Sequence, residues 1–227
     1  MDRKLLFAMA ASAALGIFLW RNPALYPFKL LVVLMHESGH AIATLLVGGS
    51  VESIRVDPNE GGLTVSLARW TLLRTVVVKS AGYLGSAVSG CVLIWAAARA
   101  REARLPLVAL AGWTAVVTLL WVRDLFTLLF TAAVTAAMLA AARFAPVLAR
   151  RALLVFLATF SALYALFDIK DDLLRLGPPI GSDADALAGA TMIPAVVWGL
   201  GWGALSLLLV ALTLRIALRA PRPAAAA

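Results

Sequence analysis

The chain has 227 residues, of which 63% are hydrophobic and 14% charged, and its mean hydropathy is +0.94. This balance excludes an ordinary soluble globular domain and favours a protein whose solvent is the lipid bilayer. The formal net charge is +8, but the arginines stand in short groups between apolar runs, which is typical of helix ends anchored at lipid headgroups. No polar segment is long enough to present a nucleic-acid surface, so no nucleic-acid partner is expected.

Apolar runs long enough to cross about 30 Å of hydrocarbon recur along the whole chain. They predict an all-α polytopic membrane protein with six or seven transmembrane helices, near residues 5–20, 25–48, 72–98, 105–122, 125–142, 147–168 and 190–214. The first run resembles a signal peptide, but the many later spans favour an uncleaved first helix. Because these runs recur along the whole length, they are not one anchor attached to a soluble domain, and one integral-membrane domain is expected over residues 1–227.

The fourth and fifth runs are separated only by Arg123 and Asp124. Each run is short for a full crossing, so the pair is expected to form a tight helical hairpin or one kinked element. Arg123 and Asp124 are predicted to form a local ion pair at this junction.

Residues 51–67 differ from the rest of the chain. Apolar and polar residues alternate there with period two on both sides of a turn-rich centre, Asp57-Pro-Asn-Glu-Gly-Gly62. This pattern predicts a small β-hairpin. Unpaired strand edges cannot face lipid, so the hairpin is expected at the membrane interface or sheltered by the helices.

The third run carries small residues at four-residue intervals. They are Ala81, Gly85 and Ser89, with Gly82, Ser86 and Gly90 one position further on. Such a stripe lets membrane helices pack closely, and this interpretation is preferred to a space for a ligand or a substrate helix.

Residues 35–41 contain the pattern H-E-x-x-H, formed by His36, Glu37 and His40. Its spacing places both imidazoles on one face of a helix, one turn apart, where they can supply two ligands to a tetrahedral zinc ion. Glu37 is expected to reach a metal-bound water without binding the metal. Its predicted role is general base, and then proton donor to the leaving amine.

Coincidence is a poor explanation for this pattern. The chain has two histidines and four glutamates, and shuffling its composition gives the pattern about once or twice in ten thousand trials. The alternative is a histidine pair held by hydrogen bonds in a helix bundle, with Glu37 as a partner. Three ionisable groups in one membrane span are costly and usually mark function, which favours the metal site.

An H-E-x-x-H on an early transmembrane helix, followed by a hairpin, resembles the site-2 protease family of intramembrane zinc metallopeptidases. The resemblance is closest to the compact branch of that family. It covers most of residues 31–200 and rests on His36-Glu-Ser-Gly-His-Ala with Gly48-Gly49, Gly61-Gly62-Leu-Thr, Ala81-Gly-Tyr-Leu-Gly85, and Ser182-Asp-Ala-Asp-Ala-Leu-Ala with Thr191, Pro194 and Trp198. It implies a zinc cofactor and proteolysis within or near the bilayer, whereas the spacing alone indicates a metal hydrolase.

A catalytic zinc ion typically has three protein ligands and a water molecule. The chain has no third histidine and only one cysteine, Cys91, which is remote in sequence, so the third ligand should be a carboxylate. Better-known site-2 proteases supply an aspartate from an Asn-Pro…Leu-Asp-Gly motif, and this sequence lacks that motif. The candidates are Asp168, Asp171, Asp172, Asp183 and Asp185.

Asp183 is the first choice because it lies in the Ser-Asp-Ala element that resembles the compact branch. Asp168 is second, as the most membrane-embedded of the acids. Against Asp183 stands the observation that Ser182, Asp183 and Asp185 are also typical of a capped helix N-terminus. Next to Lys170 and Arg175, the pair Asp171 and Asp172 is better explained as a solvated charge cluster.

The resemblance implies an intramembrane zinc metalloendopeptidase in the plasma membrane, acting on a membrane-protein substrate as in regulated intramembrane proteolysis. The hairpin would offer an edge strand that holds an unwound substrate extended. One alternative is a catalytically silent membrane scaffold or chaperone that retains the metal motif. Another is a small transporter that uses the histidines and aspartates as an ion path, although its polar residues are concentrated on one helix. The sequence names neither the substrate nor an oligomeric state.

Overall fold

The computed structural model of the chain describes residues 3–173 and 181–219, and for residues 170–173 it describes the backbone alone. Within these ranges the chain forms long helices and one two-stranded sheet. The elements are α1 Arg3–Phe18, α2 Tyr26–Leu46, β1 Ser50–Val56, β2 Gly62–Leu67, α3 Leu72–Arg99, α4 Arg104–Trp121, α5 Leu125–Phe144, α6 Val147–Leu173, α7 Asp183–Thr191 and α8 Ala195–Arg219.

Six helices in the described part of the chain, α2 to α6 and α8, are long and apolar enough to cross a membrane. The helix α1 has 16 residues and α7 has 9, whereas about 20 are needed for a crossing. The predicted polytopic all-α architecture is therefore confirmed, with six candidate spans among the residues that the structure describes. The last span begins at Ala195 rather than near residue 190, because Pro194 lacks a backbone N–H and disfavours helix in the residue before it.

The helices α4 and α5 are two separate elements joined by residues 122–124. The predicted ion pair between Arg123 and Asp124 is wrong. The Asp124 carboxylate accepts a hydrogen bond from the backbone N–H of Thr127 at 2.9 Å and caps α5, while the Arg123 guanidinium donates to the carbonyls of Val122 and Leu120. Helix ends leave backbone donors and acceptors unpaired, and here these backbone groups form hydrogen bonds with both side chains.

The hairpin is confirmed as an antiparallel pair of β1 and β2, with an irregularity in register between Val51 and Ser53. It is sheltered by helices, because Ile54 and Val56 of β1 are fully buried. The Val56 backbone N–H donates to the Thr127 hydroxyl of α5 at 2.9 Å.

The tip of the hairpin is held by α2. The Tyr26 hydroxyl donates to the carbonyl of Pro58 at 2.6 Å, and the Lys29 ammonium lies 3.0 Å from the Glu60 carboxylate. The hairpin is thus fixed to the helices at both its body and its turn.

The small-residue stripe of α3 packs against two neighbours, as predicted. A Cβ atom at Gly85 would lie 2.9 Å from the Cα of Gly39 in α2, and one at Gly90 would lie 2.8 Å from the backbone N of Ala162 in α6. Real Cβ atoms essentially never approach backbone atoms this closely, so each position requires glycine. The backbones of α2 and α3 therefore run in direct contact beside the H-E-x-x-H segment.

We expect Gly85→Ala to lower the free energy of unfolding by about 1–3 kcal/mol, because the added methyl group would force the two helix backbones apart. The matched control is Gly112→Ala in α4, where a Cβ meets nothing within 4 Å and helix propensity favours alanine by up to about 1 kcal/mol. Thermal unfolding midpoints in one detergent measure both. A midpoint for Gly85→Ala at or above that of Gly112→Ala contradicts the packing argument.

Candidate metal centre

Three potential ligands converge between α2 and α7. His36 and His40 lie one turn apart on α2, with ring centroids 4.8 Å apart. The Oδ2 atom of Asp183 lies 3.1 Å from Nε2 of His36 and 2.8 Å from Nε2 of His40. One ligand atom from each residue lies within 4.8 Å of the others, so the group is able to hold a metal ion.

The donor set fits a zinc ion. Nδ1 of His40 is 2.7 Å from the carbonyl oxygen of Val78, so the ring donates its Nδ1 proton there and leaves the Nε2 lone pair for a metal. An imidazole lone pair and a carboxylate oxygen repel each other unless a proton or a cation lies between them. Two histidines and one carboxylate also match a ligand set that zinc takes in catalytic sites.

The Asp183 side chain is buried among charged and polar partners. Burial raises the pKa of this carboxyl, but the two imidazoles of His36 and His40 close to Oδ2 together outweigh burial and hold the pKa well below its usual range. An ionised carboxylate is the form that binds metal.

Asp183 is not needed to cap α7. The Ser182 hydroxyl accepts the backbone N–H of Asp185 at 3.2 Å, and the Asp185 carboxylate accepts the backbone N–H of Ser182 at 3.3 Å. These two residues form a complete capping box. The neighbouring Asp183 side chain is therefore free to turn towards α2.

Asp168 lies on the opposite side of the His36 ring. Its Oδ2 is 3.6 Å from Nδ1 of His36, whereas Asp183 faces Nε2 of the same ring. A carboxylate at the far nitrogen of a ligating histidine fixes the orientation and tautomer of the ring. The structure thus brings both candidate aspartates to His36, but only Asp183 also reaches His40. The side chains of Asp171 and Asp172 lie outside the described residues.

Space for the centre depends on Gly82 of α3. A Cβ atom at this position would overlap Nε2 of both His36 and His40. The packing interpretation of the small-residue stripe missed this role. The sequence shows that the side chains of the stripe are small, but not which groups lie against them.

The Glu37 carboxylate is buried against the hairpin. Only 5% of the residue is exposed, and Oε2 accepts a hydrogen bond from the Thr64 hydroxyl of β2 at 2.6 Å. A Cβ atom at Gly62 would overlap the same carboxylate. The hairpin therefore helps to hold the Glu37 carboxylate in position.

A cavity of about 580 Å³ joins these groups. Its lining includes His36, Glu37, Thr64, Lys79, Tyr83 and Asp183. Tyr83 packs edge-on against the His36 ring and stacks on Trp202 of α8.

Sequence reasoning did not single out Lys79. The signal was present, since Lys79 is the only lysine or arginine between Arg74 and Arg99. Such an isolated charge inside a membrane helix usually marks function.

The fold and the site together define an integral, multi-pass membrane protein with a metallopeptidase-type motif on its first long apolar helix. Residues 8–213 match the family model described as Peptidase M50B-like. Because this match spans most of the 227 residues, the chain belongs to that family, and the resemblance to the site-2 proteases is confirmed. No curated protein and no solved structure matches the chain.

We expect the purified wild-type protein to bind about one zinc ion per chain, and Asp183→Ala to lose it, because two histidines alone do not complete the ligand set. Asp168→Asn should keep zinc with affinity lowered by up to about 10–100-fold, as for a group that orients a ligand. Metal analysis measures the zinc content, and chelator competition measures the zinc affinity.

The control is Asp185→Ala, which removes the carboxylate half of the capping box of α7. Equal zinc loss in the Asp183 and Asp168 variants, or in the Asp183 and Asp185 variants, would contradict the assignment of Asp183 as the third ligand.

Proposed function

We propose that the chain is an intramembrane zinc metalloendopeptidase of the site-2 protease type. It hydrolyses peptide bonds of membrane proteins within or near the bilayer, works as one domain over residues 1–227, and resides in the plasma membrane. The observation that carries the proposal is the convergence of His36, His40 and Asp183 beside the buried Glu37 carboxylate, among apolar helices. Membership of a metallopeptidase family supports it.

His36, His40 and Asp183 are the residues that would hold the zinc ion. Zinc supplies a Lewis acid for the peptide carbonyl and lowers the pKa of a bound water molecule. Glu37 takes the proton from the water whose oxygen forms the new bond to the carbonyl carbon. It then passes that proton to the amine nitrogen as the C–N bond breaks.

A hydrogen bond from Thr64 distinguishes the two carboxylate oxygens of Glu37. Its hydroxyl donates to Oε2 at 2.6 Å, which leaves Oε1 to accept and release the proton. A hydrogen bond to a charged group also fixes the carboxylate, so the base is positioned before substrate binds.

The outer edge of β2 is suited to hold the substrate. The Asp57 backbone N–H donates to the carbonyl of Gly61 at 2.8 Å, and hydrogen-bonded pairs alternate along an antiparallel ladder. Gly62 and Thr64 therefore direct their backbone groups away from β1, next to Glu37. Among the described residues no other strand pairs with this edge.

An extended substrate segment would complete the sheet at that edge. A helical peptide bond is shielded by its own hydrogen bonds, so a transmembrane substrate must unwind before cleavage. Pairing with β2 replaces the hydrogen bonds that unwinding breaks and holds the peptide carbonyl near the metal ligands.

We expect Glu37→Gln to lower peptide cleavage by roughly 10²–10⁴-fold, because the amide cannot accept the proton of water. Its zinc content should equal that of the wild type. Cleavage of a peptide library in detergent, read by mass spectrometry, measures turnover, and Glu52→Gln on the exposed side of β1 is the control. A cellular effect that survives Glu37→Gln would instead support the scaffold or chaperone alternative.

Cross-linking can test the extended binding mode. Leu63 of β2 is 49% exposed, and Leu63→Cys can be combined with Cys91→Ala and Glu37→Gln to trap a peptide that the wild type cleaves. Single cysteines along that peptide should form disulfides at every second position, because side chains of a strand alternate between its faces. Glu52→Cys is the control position. Cross-links spaced by three or four residues would show a helical substrate and contradict the model of strand pairing.

A further inference from the structure

One turn of α3 touches all three proposed ligands. The Val78 carbonyl accepts the Nδ1 proton of His40, the Lys79 ammonium lies 3.0 Å from Oδ1 of Asp183, and the missing side chain at Gly82 leaves room for both imidazoles. The first and last of these are backbone features. Lys79 is the one side chain of this turn that binds a proposed ligand directly.

The two oxygens of Asp183 have different partners. Oδ2 faces Nε2 of His36 and His40, while Oδ1 accepts a hydrogen bond from Lys79. With Oδ1 occupied, rotation of the carboxylate is restricted and only Oδ2 is presented to the site. Groups that bind the second atom of a metal ligand in this way orient the ligand and raise metal affinity.

Asp183 needs such support because of its position in the chain. It lies 147 residues after His36, at the first residue of the nine-residue helix α7. α7 rests on α3, where Ala184 and Leu187 pack in one cluster with Tyr83. The contact with Lys79 connects the ligand itself, and not only its helix, to the element that also holds His40.

A simple surface ion pair would not explain these observations. The Lys79 side chain is 39% exposed, but that of Asp183 is only 9% exposed and its other oxygen is engaged by both imidazoles. An exposed pair contributes little and tolerates loss of either partner. Removal of Lys79 instead leaves a buried carboxylate oxygen without its donor.

We propose that Lys79 is a positioning residue of the metal centre, which holds Oδ1 of Asp183 so that Oδ2 faces the metal position between His36 and His40. The inference rests on the proposed function, since it requires that these residues bind zinc. Lys79 acts through Asp183 and takes no part in proton transfer.

The sign of a change in zinc affinity tests this role. A lysine repels a nearby divalent cation, so its removal by charge alone would strengthen zinc binding. Loss of positioning has the opposite effect, and Lys79→Met is expected to weaken zinc binding by about 10–100-fold. Lys79→Arg keeps a charged donor and should recover part of the affinity.

The measurement is chelator competition for Zn²⁺ on the full chain in detergent. Arg74→Met is the matched control, because it removes a positive charge from the same helix at a residue whose guanidinium donates to the carbonyl of Arg69. It should bind zinc like the wild type. Absorption of the Co²⁺-loaded proteins gives a second readout, and the spectrum of Lys79→Met should differ from that of Arg74→Met.

Zinc affinity in Lys79→Met equal to or above the wild-type value overturns the inference. If Lys79→Met is not recovered folded, Lys79→Arg and Lys79→Gln carry the test, and tighter binding by Gln than by Arg overturns it. Failure of the proposed function would give a different observation: the wild type would bind no zinc, or His36→Ala would retain it.

Discussion

The interaction on which the centre depends is that of the Asp183 carboxylate with two imidazoles and one ammonium. Ionisable groups among membrane helices are costly unless they pair with one another. Here Asp183 brings together His36 and His40 of α2 and Lys79 of α3. Side chains of α2, α3 and α7 are thereby connected at one buried carboxylate.

The close approach of α2 and α3 makes this arrangement geometrically available. Glycines at positions 39 and 85 allow the two backbones to touch, and Gly82 leaves a gap one turn away that the imidazoles fill. Association of membrane helices relies on close packing, since lipid is as apolar as the side chains and gives little hydrophobic driving force. The same stripe of small residues therefore serves both helix packing and the placement of the two imidazoles.

The hairpin resolves a second constraint of the bilayer. A sheet with open edges cannot face lipid. The outer edge of β1 meets this condition because the Val56 backbone N–H and carbonyl both bond to the Thr127 hydroxyl and Ile54 forms a bridge with Val122. The outer edge of β2 instead lies beside the cavity, where Thr64 binds Glu37. Non-helical backbone is tolerated among membrane helices where it lines a polar cavity.

Local patterns in the sequence determined much of this protein. The apolar runs predicted the membrane spans, the period-two alternation predicted the hairpin, and the four-residue spacing predicted that His36 and His40 share a helix face with Glu37 between them. These inferences succeeded because each depends on residues within one turn or one strand. The predicted Arg123–Asp124 pair was wrong because backbone groups at the two helix ends competed for both side chains.

Only the tertiary structure decided which distant groups meet. Sequence left Asp168 and Asp183 as candidates, and the fold brings the former to Nδ1 of His36 and the latter to Nε2. It also decided that Gly82 gives space to the imidazoles and that Lys79 holds Asp183. No local pattern encodes these contacts, because they arise from how α3 packs on α2 and α7 packs on α3, between residues that lie far apart in the chain.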